Sequence, residues 1–550
     1  MAVSVEPPNP LLTRSRLNGM FVSHPLVKPD TVEEREYQRT ISKACLEAST
    51  LVVLPTALGK TVVALLVIAE ILQRKKGKVL FLAPTKPLVE QHASYLQQNL
   101  RGQKIALMTG EKKPQERQAQ WWLNDVIVST PQVVANDLEQ KRFDLNDFGL
   151  VIFDEAHRGV GKYAYVAVGE AYRRKGGLVM GLTASPGASK DKITEICKNL
   201  GMERIEVRSK SDPDVRGYVH DIEIDWVEVE LPYQTKRVAA ILRSLFDSYI
   251  KQLVRMGCMT SKRPPSTMYL LEVGKTLQAR LHSGGNKGYL FRALSVQAMA
   301  MKVGHAIELA ETQGLTALKS YLEKLKQEAL SEKGSKASRA IVSSPEFEKV
   351  AVRLQSVRDK NPKIPQVMKI IADQQSAKPS SKIMVFTNYR DSCEMVANHL
   401  SKIDGVRVSK LIGQTDRGED KGLRQKEQVE VLSSLRRGDV NVVVATCVGE
   451  EGLDVADTDL VIFYEPVPSA IRSIQRRGRT GRSSAGRVVV LITRGTRDET
   501  SIYSSGRKEK AMKKNLLRIK KDLEKGNASS QVPINLQKEG QRFITDYSFD

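Results

Sequence analysis

Two short segments, residues 54–61 and 475–482, carry side chains suited to the chemistry of a nucleoside triphosphate. The first ends in Gly59-Lys60-Thr61, which offers backbone N–H groups, an ammonium group and a hydroxyl to phosphate oxygens and Mg²⁺. The second places four arginines among eight residues, and arginine presents a permanently charged, planar fork to phosphate. Because one phosphate site rarely needs both segments, we expect ATP to lie between two domains, so that its hydrolysis drives domain motion.

The first segment matches only part of the phosphate-loop pattern GxxxxGK[ST], because Leu54 stands at the first glycine position. An apolar run precedes the segment and a helical pattern follows it, which is the context that a phosphate loop requires. We predict that Lys60 reaches the β- and γ-phosphates and that the Thr61 hydroxyl binds Mg²⁺. The predicted ATP-binding residues of this loop are Pro55, Thr56, Ala57, Leu58, Gly59, Lys60 and Thr61.

An acidic motif, Asp154-Glu-Ala-His157, directly follows the apolar run Leu150–Phe153. Ligands of open parallel sheets bind beyond the carboxyl ends of the strands, so this motif is predicted to face the same cleft as the phosphate loop. We predict that Asp154 holds Mg²⁺ through water and that Glu155 orients or deprotonates the attacking water. Taken alone, the pair Asp154-Glu155 could be an acidic turn without a catalytic role. The phosphate loop upstream in the chain argues against this alternative.

The arginine-rich segment is predicted to complete the site from a second domain. Arg479 and Arg482 are three residues apart and therefore share a helix face. An arginine that reaches the transferring phosphoryl group accelerates nucleotide hydrolysis by roughly 10³–10⁵. We assign Gln475, Arg479 and Arg482 to catalysis, and we interpret Arg476 as part of a solvated or nucleic-acid-facing surface.

Further side chains are candidates for the nucleoside part of ATP. Arg35 and Gln38 lie just before the first apolar core, and the two-sided amide of Gln38 suits adenine; a surface helix position is the alternative. Asp454, at the end of the glycine-containing stretch Ala445–Asp454, is predicted to accept hydrogen bonds from the ribose hydroxyls. Thr183-Ala-Ser185 ends another apolar run and is predicted to link the acidic pair to the second domain.

These motifs lie at the ends of short apolar runs that alternate with helical stretches, which is the pattern of parallel sheets buried on both faces. Such runs fill residues 31–210 and again 365–510, so we predict an α/β fold with two parallel-sheet domains. Residues 220–350 begin with one predicted strand and continue with helical patterns, which predicts a helical insert. Residues 1–30 are predicted to be extended, and residues 511–550 to form a basic helix and a flexible tail.

The composition indicates a polyanionic partner. The chain has 86 basic and 63 acidic residues and a formal net charge of +23, which favours nucleic acid. Its five scattered cysteines show neither a CxxC pair nor an even count, so we expect reduced thiols and no zinc site. The chain start lacks a signal-peptide pattern and no apolar run approaches the length of a membrane span, so we expect a cytoplasmic protein without a membrane partner.

In this order, the motifs from Arg35 to Arg482 resemble those of superfamily 2 helicases of the DEAH-lettered type. Within that superfamily the chain resembles the archaeal Hef helicase and its eukaryotic relative, the Fanconi anaemia group M protein. The resemblance covers most of the chain, including the insert. The strings that carry it are Leu82-Ala-Pro-Thr-Lys-Pro-Leu-Val89, Val151-Ile-Phe-Asp-Glu-Ala-His-Arg158, Gly181-Leu-Thr-Ala-Ser-Pro-Gly187 and Tyr464-Glu-Pro-Val-Pro-Ser-Ala-Ile-Arg472.

The resemblance implies two RecA-like domains, a thumb-like insert that grips duplex, and residence at the nucleoid of an archaeal-type cell. It implies ATP-driven 3′-to-5′ unwinding or branch migration of forked and Holliday-type DNA in replication-fork repair. A duplex-RNA-directed ATPase and an ATP-gated scaffold with little unwinding are the alternatives. The nucleic-acid contacts that it implies, mainly to phosphates, come from Thr85, Lys86, Thr130, Asn388 and Thr446.

The chain departs from the family pattern at two places. Ala57 stands where the phosphate loop of the family usually has glycine, and we predict an altered loop geometry. The chain has no Glu-Arg-Lys-x-x-x-Asp string, which belongs to the nuclease that follows the helicase in full-length Hef proteins. We therefore expect no nuclease activity, and a separate nuclease is a candidate partner.

The C-terminal part of the chain has two further features. Residues 507–525 carry nine basic and three acidic side chains and an apolar face, which predicts a helix that packs on the second domain and presents lysines to DNA. The last ten residues resemble a sliding-clamp binding peptide, in which a glutamine fixes orientation and apolar side chains fill a pocket; a frayed end is the alternative. The predicted clamp-binding residues are Gln541, Ile544, Tyr547 and Phe549.

Overall fold

Two parallel sheets and a helical region between them form the described part of the chain, which confirms the predicted fold class. Asp454, Arg482 and the predicted clamp-binding peptide lie outside the described residues. Among the residues described, no helix has both the length and the apolar character needed to cross a membrane. The computed structural model describes residues 21–219, 222–332, 334–356, 361–415, 422–449, 457–481 and 486–524.

The strands of the first sheet are β1 (Thr50–Val53), β2 (Lys78–Leu82), β3 (Ile105–Met108), β4 (Val126–Ser129), β5 (Phe148–Asp154), β6 (Leu178–Thr183) and β7 (Arg204–Val207). Among the described residues they pair in parallel in the order β3-β4-β2-β5-β6-β1-β7. Successive side chains of a strand point to opposite faces. Leu51 and Val53 accordingly join one apolar core cluster, and Val52 and Leu54 join the other. The sheet is therefore buried on both faces, which explains its unbroken apolar runs.

Helices cover both faces of the first sheet. Each helix except α1 follows a strand of this sheet. A proline begins three of them, at a position where the missing N–H costs nothing. They are α1 (Glu36–Glu47), α2 (Lys60–Gln73), α3 (Lys86–Asn99), α4 (Pro114–Leu123), α5 (Pro131–Glu139), α6 (Ala164–Arg173), α7 (Lys190–Leu200) and α8 (Pro213–Arg216).

The insert is helical and has an apolar core of its own. Its helices are α9 (Tyr233–Arg255), α10 (Thr267–His282), α11 (Lys287–Glu308), α12 (Leu315–Leu330), α13 (Lys336–Val342) and α14 (Pro345–Ser356). Helix α11 continues into a π-helical turn, Leu309–Gln313, which ends at Gly314. Gly314 has φ 97°, a conformation that glycine adopts without strain, and it separates α11 from α12.

The strands of the second sheet are β8 (Ile222–Val229), β9 (Ile383–Phe386), β10 (Val408–Leu411), β11 (Val442–Ala445), β12 (Leu460–Phe463) and β13 (Gly486–Thr493). In the part of the chain that the structure describes, they pair in parallel in the order β10-β11-β9-β12-β13-β8. The helices of this domain are α15 (Lys363–Ala377), α16 (Arg390–Leu400), α17 (Gln425–Arg437), α18 (Ala470–Arg477) and α19 (Arg497–Glu524).

Strand β8 corrects the predicted domain organisation. From the sequence we place this strand at the start of the insert, within residues 220–350. It instead pairs with β13 from Ile222 to Val229 and forms an edge of the second sheet. The chain therefore enters the second domain first, then builds the insert, and then returns to the second domain.

Helix α19 corrects the predicted location of the basic C-terminal helix. Its apolar side chains Met512, Leu516 and Ile519 belong to a core cluster of the first domain, not of the second. Lys190 of α7 pairs with Asp522 at 3.1 Å, and Lys520 pairs with Glu206 of β7 at 3.1 Å. The helix begins directly after β13, so it connects the second domain to the first.

Candidate nucleotide-binding and nucleic-acid site

The predicted motifs of the first domain meet at the carboxyl edge of its sheet. Strand β1 leads into the phosphate loop, β5 ends at Asp154, and β6 ends at Thr183. These three strands are neighbours in the order β5-β6-β1. Because parallel strands end at the same edge, segments that are far apart in the chain come together there.

The phosphate loop is supported by α1. Gly59 has φ 69° and caps α2, which begins at Lys60. The Tyr37 hydroxyl donates to the Leu58 carbonyl oxygen at 3.0 Å, and the Gln38 side-chain amide donates to the same oxygen at 3.2 Å. A Cβ at Gly59 would collide with Gln38, so the close approach requires glycine. The N–H groups in the first turn of α2, which need partners outside the helix, thus form a cradle for phosphate.

Ala57 adopts a left-handed backbone conformation with φ 70°. For a residue with a Cβ this conformation costs roughly 1–2 kcal/mol, whereas glycine adopts it freely. The loop therefore keeps a conformation that suits the glycine usual in the family, and the alanine carries the strain.

Asp154, the predicted Mg²⁺ residue, is buried and held by two neighbours. The Nε2–H of His92 donates to Asp154 Oδ2 at 3.0 Å, and the Tyr165 hydroxyl donates to the Asp154 carbonyl oxygen at 2.6 Å. Burial opposes ionisation, but the hydrogen bond from His92 and the positive charge of Lys60 outweigh it and hold the pKa of Asp154 below its ordinary value. The carboxylate therefore stays charged and oriented.

The donor set fits a Mg²⁺ ion that arrives with phosphate. Mg²⁺ is commonly bound by one or two carboxylates together with substrate phosphates and water. Asp154 and Thr61, the second residue of α2, supply a carboxylate and a hydroxyl. Within the described ranges, no group of three or more His, Cys, Asp or Glu side chains could hold a metal ion. A Mg²⁺ ion at this site would therefore need phosphate and water as further ligands.

Glu155 is connected to the Thr183–Ser185 motif through a histidine. Glu155 Oε2 lies 3.2 Å from His157 Nδ1, and the same nitrogen lies 3.2 Å from Thr183 Oγ1. The Ser185 N–H donates to Thr183 Oγ1 at 3.1 Å, and the Ser185 hydroxyl donates to Met512 Sδ at 2.9 Å. Since Met512 lies on α19, this series of contacts joins the acidic motif to an element that begins in the second domain.

The two phosphate-handling segments meet at Thr56 and Gly478. A Cβ at Gly478 would collide with the Thr56 side chain, so the glycine lets the end of α18 approach the phosphate loop. The next residue, Arg479, is buried, and its carbonyl oxygen accepts hydrogen bonds from the Thr458 N–H at 3.0 Å and from its hydroxyl at 2.9 Å. A cavity of about 670 Å³ lies between Pro55 and Thr56, the segment that follows β7, α18 and α19, and Lys60, Thr61 and Asp154 do not line it.

The interpretation of Arg476 as part of a solvated or nucleic-acid-facing surface is wrong. Its side chain is fully buried. The guanidinium group lies 5.1 Å from the ring centroid of Phe386 and 5.6 Å from that of Phe463, contacts that stabilise a buried cation. It also donates to Asn388 Oδ1 at 3.0 Å. Gln475, which we assign to catalysis, is buried as well.

Arg35 and Gln38 lie at the start of α1. Gln38 is buried and its amide supports the phosphate loop, so the alternative of a surface position is wrong. Arg35 pairs with Glu33 at 2.8 Å and lies 5.1 Å from the ring centroid of Tyr218. Contact of either residue with adenine stays a prediction.

The predicted nucleic-acid residues of the first domain lie at helix starts on the carboxyl edge of the sheet. Thr85 precedes α3, which begins at Lys86, and Thr130 precedes α5. Lys86 pairs with Glu111 at 2.6 Å. Helix N-termini attract phosphate because their N–H groups lack partners in the helix, so the placement supports contacts with a nucleic-acid backbone.

The predicted residues of the second domain differ in exposure. Asn388 follows β9, and its Oδ1 accepts from Arg476, which leaves Nδ2 as the donor toward a phosphate. Thr446 follows β11 but is only 5% exposed, and its N–H donates to the Leu411 carbonyl oxygen at 3.0 Å. This conformation therefore disfavours a direct phosphate contact by Thr446.

Sequence reasoning missed residues that fix the acidic motif and the loop. His92 and Tyr165 lie on helices outside the motifs we recognise, and Tyr37 lies between Arg35 and Gln38 in a motif where we give it no role. One signal is visible for His92: it occupies the buried face of α3 together with Val89 and Leu96. A buried polar side chain needs a partner, so a histidine among apolar helix positions indicates a partner such as Asp154.

Three family descriptions match the chain. They are DEAD/DEAH box helicase over residues 35–193, helicase conserved C-terminal domain over residues 362–484, and the helical bundle of a provisionally assigned ATP-dependent RNA helicase over residues 234–361. The crystal structure of the Pyrococcus furiosus Hef helicase domain is 45% identical, covers 87% of this chain and 100% of that chain, and has a TM-score of 0.66.

Two longer relatives also match. A protein of Methanocaldococcus jannaschii, provisionally assigned as an ATP-dependent RNA helicase, is 37% identical over 497 residues, which cover 90% of this chain and 62% of that protein. The ATP-dependent DNA helicase mph1 of Sclerotinia sclerotiorum is 32% identical over 500 residues, which cover 85% of this chain and 40% of that protein. The chain thus spans roughly half the length of these relatives.

The fold, the cleft chemistry and these matches place the chain in the class of DEAD/DEAH box helicases, with two RecA-like domains. More specifically, the chain belongs to the family of superfamily 2 helicases that includes archaeal Hef and the Fanconi anaemia group M protein. The use of ATP follows from the helicase domains.

Proposed function

We propose that the chain is an ATP-dependent DNA helicase or translocase that unwinds or branch-migrates forked and Holliday-type DNA in replication-fork repair. The observation that carries this choice is the 45% identity over the whole Hef helicase domain. The fungal ATP-dependent DNA helicases support DNA as the substrate. The net charge of +23 supports a polyanionic substrate in general.

In this proposal the first domain binds ATP and prepares the attacking water. Lys60 and the N–H groups of α2 hold the β- and γ-phosphates, and Thr61 and Asp154 hold Mg²⁺. Glu155 orients the attacking water and accepts its proton, and His157, 3.2 Å away, keeps the carboxylate in place. Each of these side chains lies at the carboxyl edge of the first sheet or in the first turn of α2.

The second domain completes the site. Arg479, together with Arg482 and with Asp454 for the ribose, is proposed to approach ATP from the far side of the cleft. The contact between Thr56 and Gly478 supports this arrangement, because it brings the end of α18 against the phosphate loop. Hydrolysis would then require domain closure, and the opening that follows would move the bound strand.

The DNA strand is proposed to cross the carboxyl edges of both sheets, where the predicted phosphate contacts of each domain lie. The insert is proposed to grip the duplex. Its α10–α11 hairpin supports that role, because exposed basic side chains surround it. They are Lys262, Arg263, Lys275, Arg280, Lys287 and Arg292.

ATPase and strand-displacement assays on a fork, a four-way junction, linear duplex DNA and duplex RNA test this proposal. We expect the branched DNAs to stimulate ATP hydrolysis most and displacement to proceed 3′ to 5′. Lys60→Ala should abolish hydrolysis and displacement, and Glu155→Gln should bind ATP without turnover. Equal rates on linear and branched DNA would argue against junction specificity, and displacement of opposite polarity would refute the proposed direction.

A duplex-RNA-directed ATPase is the second candidate. The Methanocaldococcus jannaschii relative and the helical-bundle description support it, because RNA helicases are named in both. The same assays separate the two functions: stimulation by duplex RNA and none by forked DNA would establish the RNA-directed function and exclude the first proposal.

We further propose that the last ten residues dock on a sliding clamp, that a separate nuclease acts at the same junctions, and that the protein works at the nucleoid. Deletion of residues 541–550 should remove clamp binding and leave ATPase activity unchanged; unchanged clamp binding would exclude the peptide. If repair survived Glu155→Gln, an ATP-gated scaffold would replace the motor in this proposal.

A further inference from the structure

Glu465 lies at the centre of a buried polar cluster that none of the proposed catalytic steps uses. It follows β12 by two residues and is 2% exposed. Asn388 from the loop after β9, Arg476 from α18 and Gln313 from the π-helical turn of the insert surround it. Residues from two elements of the second domain and from the insert therefore lie around Glu465.

Glu465 holds the loop that carries Asn388. The Asn388 N–H donates to Glu465 Oε2 at 2.9 Å, and Arg476 donates to Asn388 Oδ1 at 3.0 Å. Arg476 also donates to the Glu465 carbonyl oxygen at 3.5 Å. Asn388 is thus fixed through its backbone and its side chain, and its orientation depends on the position of α18.

Gln313 connects the insert to α16, the helix that follows the Asn388 loop. It is the last residue of the π-helical turn and is 1% exposed; single π-helical turns often occur at functional sites. Its side-chain oxygen contacts the Ser392 hydroxyl of α16, and the Asn361 side-chain amide donates to its carbonyl oxygen at 2.8 Å. The side chain of Gln313 also favours the charged form of Glu465.

The carboxyl group is costly to ionise where it lies. Burial raises the pKa of Glu465 to about 7, although Lys363, Gln313 and Arg476 favour the charge. Among the described residues, Glu465 Oε1 has no hydrogen-bond partner. An uncharged side chain at this position would cost less folding free energy than a buried carboxyl group. The contacts that the carboxyl group organises therefore explain its presence better than a contribution to stability does.

We propose that Glu465 is a positioning residue that couples nucleic acid held by the insert and the Asn388 loop to the ATP-site arginines. Displacement of the insert at Gln313 shifts the start of α16 through Ser392. The Asn388 loop, which directly precedes α16, then moves against Glu465 and Arg476. Arg476 belongs to α18, the helix that leads to Arg479. This inference rests on the proposed function, because it assigns Asn388 to nucleic acid and Arg479 to ATP.

Titration of ATPase activity with forked DNA tests the coupling in Glu465→Ala and Glu465→Gln. We expect Glu465→Ala to raise the half-saturating DNA concentration about tenfold, the effect of one lost hydrogen bond to a charged group. The maximal stimulated rate should fall, while the rate without DNA stays close to wild type. Glu465→Gln keeps an acceptor for the Asn388 N–H and should restore the half-saturating concentration. Glu394→Ala is the matched control, since Glu394 pairs with Lys410 at the surface of the same domain.

Gln313→Ala reaches the cluster from the insert and keeps the test decisive if Glu465→Ala folds poorly. It should lower the maximal DNA-stimulated rate without changing the KM for ATP. Wild-type titrations in both alanine variants would overturn this inference alone. If forked DNA fails to stimulate the wild-type protein, the proposed DNA function falls, and the same titration with duplex RNA tests the coupling. No response to either nucleic acid would overturn both.

Discussion

At the scale of single residues, two residues of the candidate ATP site have left-handed backbone conformations although neither is glycine. Ala57 has φ 70° and Glu155 has φ 48°. Such conformations persist in residues other than glycine only where the surrounding structure holds them, and they concentrate at functional sites. Glu155 lies between the end of β5 and a short 3₁₀ helix, and Ala57 lies in the loop between β1 and α2.

Ala57→Gly should stabilise the protein. Glycine removes roughly 1–2 kcal/mol of backbone strain from the folded state. It also raises the entropy of the unfolded chain, which costs less than about 1 kcal/mol of stability, so we expect the free energy of unfolding to rise by about 0.5–1 kcal/mol. Denaturant unfolding measures this gain. Ala119→Gly, at an exposed position inside α4, is the control and should destabilise by a similar amount. A lower denaturant midpoint for Ala57→Gly would show that the alanine is not strained.

Glu465 should make the stability of the protein depend on pH. Its pKa is about 7 in the folded protein and has an ordinary value of 4.5. Its contribution to the free energy of unfolding is therefore full below pH 4.5 and is lost as the pH rises through 7. Because Glu465→Gln cannot ionise, the melting temperature of this variant should rise relative to wild type between about pH 5 and about pH 8. The same difference at every pH would contradict the shifted pKa; exposed Glu394→Gln is the control.

The residues with motif chemistry could be predicted from the sequence, but their supporting neighbours could not. The acidic pair, the phosphate loop and the arginine segment each have a local pattern, and parallel-sheet topology brings them to one cleft. The pairing of His92 with Asp154, or of Arg476 with Phe386, depends on packing between segments distant in the chain. A pattern in one segment carries no information about such a partner.

At the scale of elements, the strands that the sequence reveals least are edge strands. Central strands such as β1 and β4 are buried throughout and appear as apolar runs. β7 lies at a sheet edge, buries only Ile205 fully and alternates charged with apolar residues, so it shows no apolar run and we did not predict it. β8 was recognised as a strand but placed with the insert, because pairing with β13, far along the chain, leaves no local signal.

Leu516→Asp should detach α19 from the first domain. Leu516 is 2% exposed within the core of that domain, and an unpaired buried charge costs several kcal/mol. We expect a clear loss in melting temperature and faster tryptic cleavage within residues 505–524. Leu517→Asp is the neighbouring control, since Leu517 is 56% exposed. Equal behaviour of the two variants would mean that α19 does not pack as described.

At the scale of the whole molecule, the proposed ATP site is complete only when both domains contribute. The first domain supplies the phosphate loop and the acidic pair, and the second brings Gly478, which Arg479 follows, against Thr56 of the loop. The same closure changes the distance between the two rows of predicted nucleic-acid residues. ATP and nucleic acid are thus expected to bind between the same two domains, so that closure of the domains affects both.

Lys86→Ala should reduce the salt dependence of DNA binding. If Lys86 contacts one phosphate, its loss removes about one unit from the slope of log K against log salt concentration. Binding isotherms at several salt concentrations measure this slope. Lys104→Ala is the control. Lys104 is exposed directly before β3, at the amino ends of the strands, whereas Lys86 lies at their carboxyl ends. An unchanged slope for Lys86→Ala would place the DNA backbone elsewhere.

The path of the chain between the domains limits how they can separate. The chain leaves the first domain after β7, joins the edge of the second sheet as β8, and finally returns along the first domain as α19. We expect these two crossings to favour rotation of the domains about the line that joins them over their separation. A protease cut between β7 and β8 should leave both fragments together in gel filtration, because α19 packs in a core of the first domain. A strand in the cleft is then expected to leave by domain rotation or by sliding to its end.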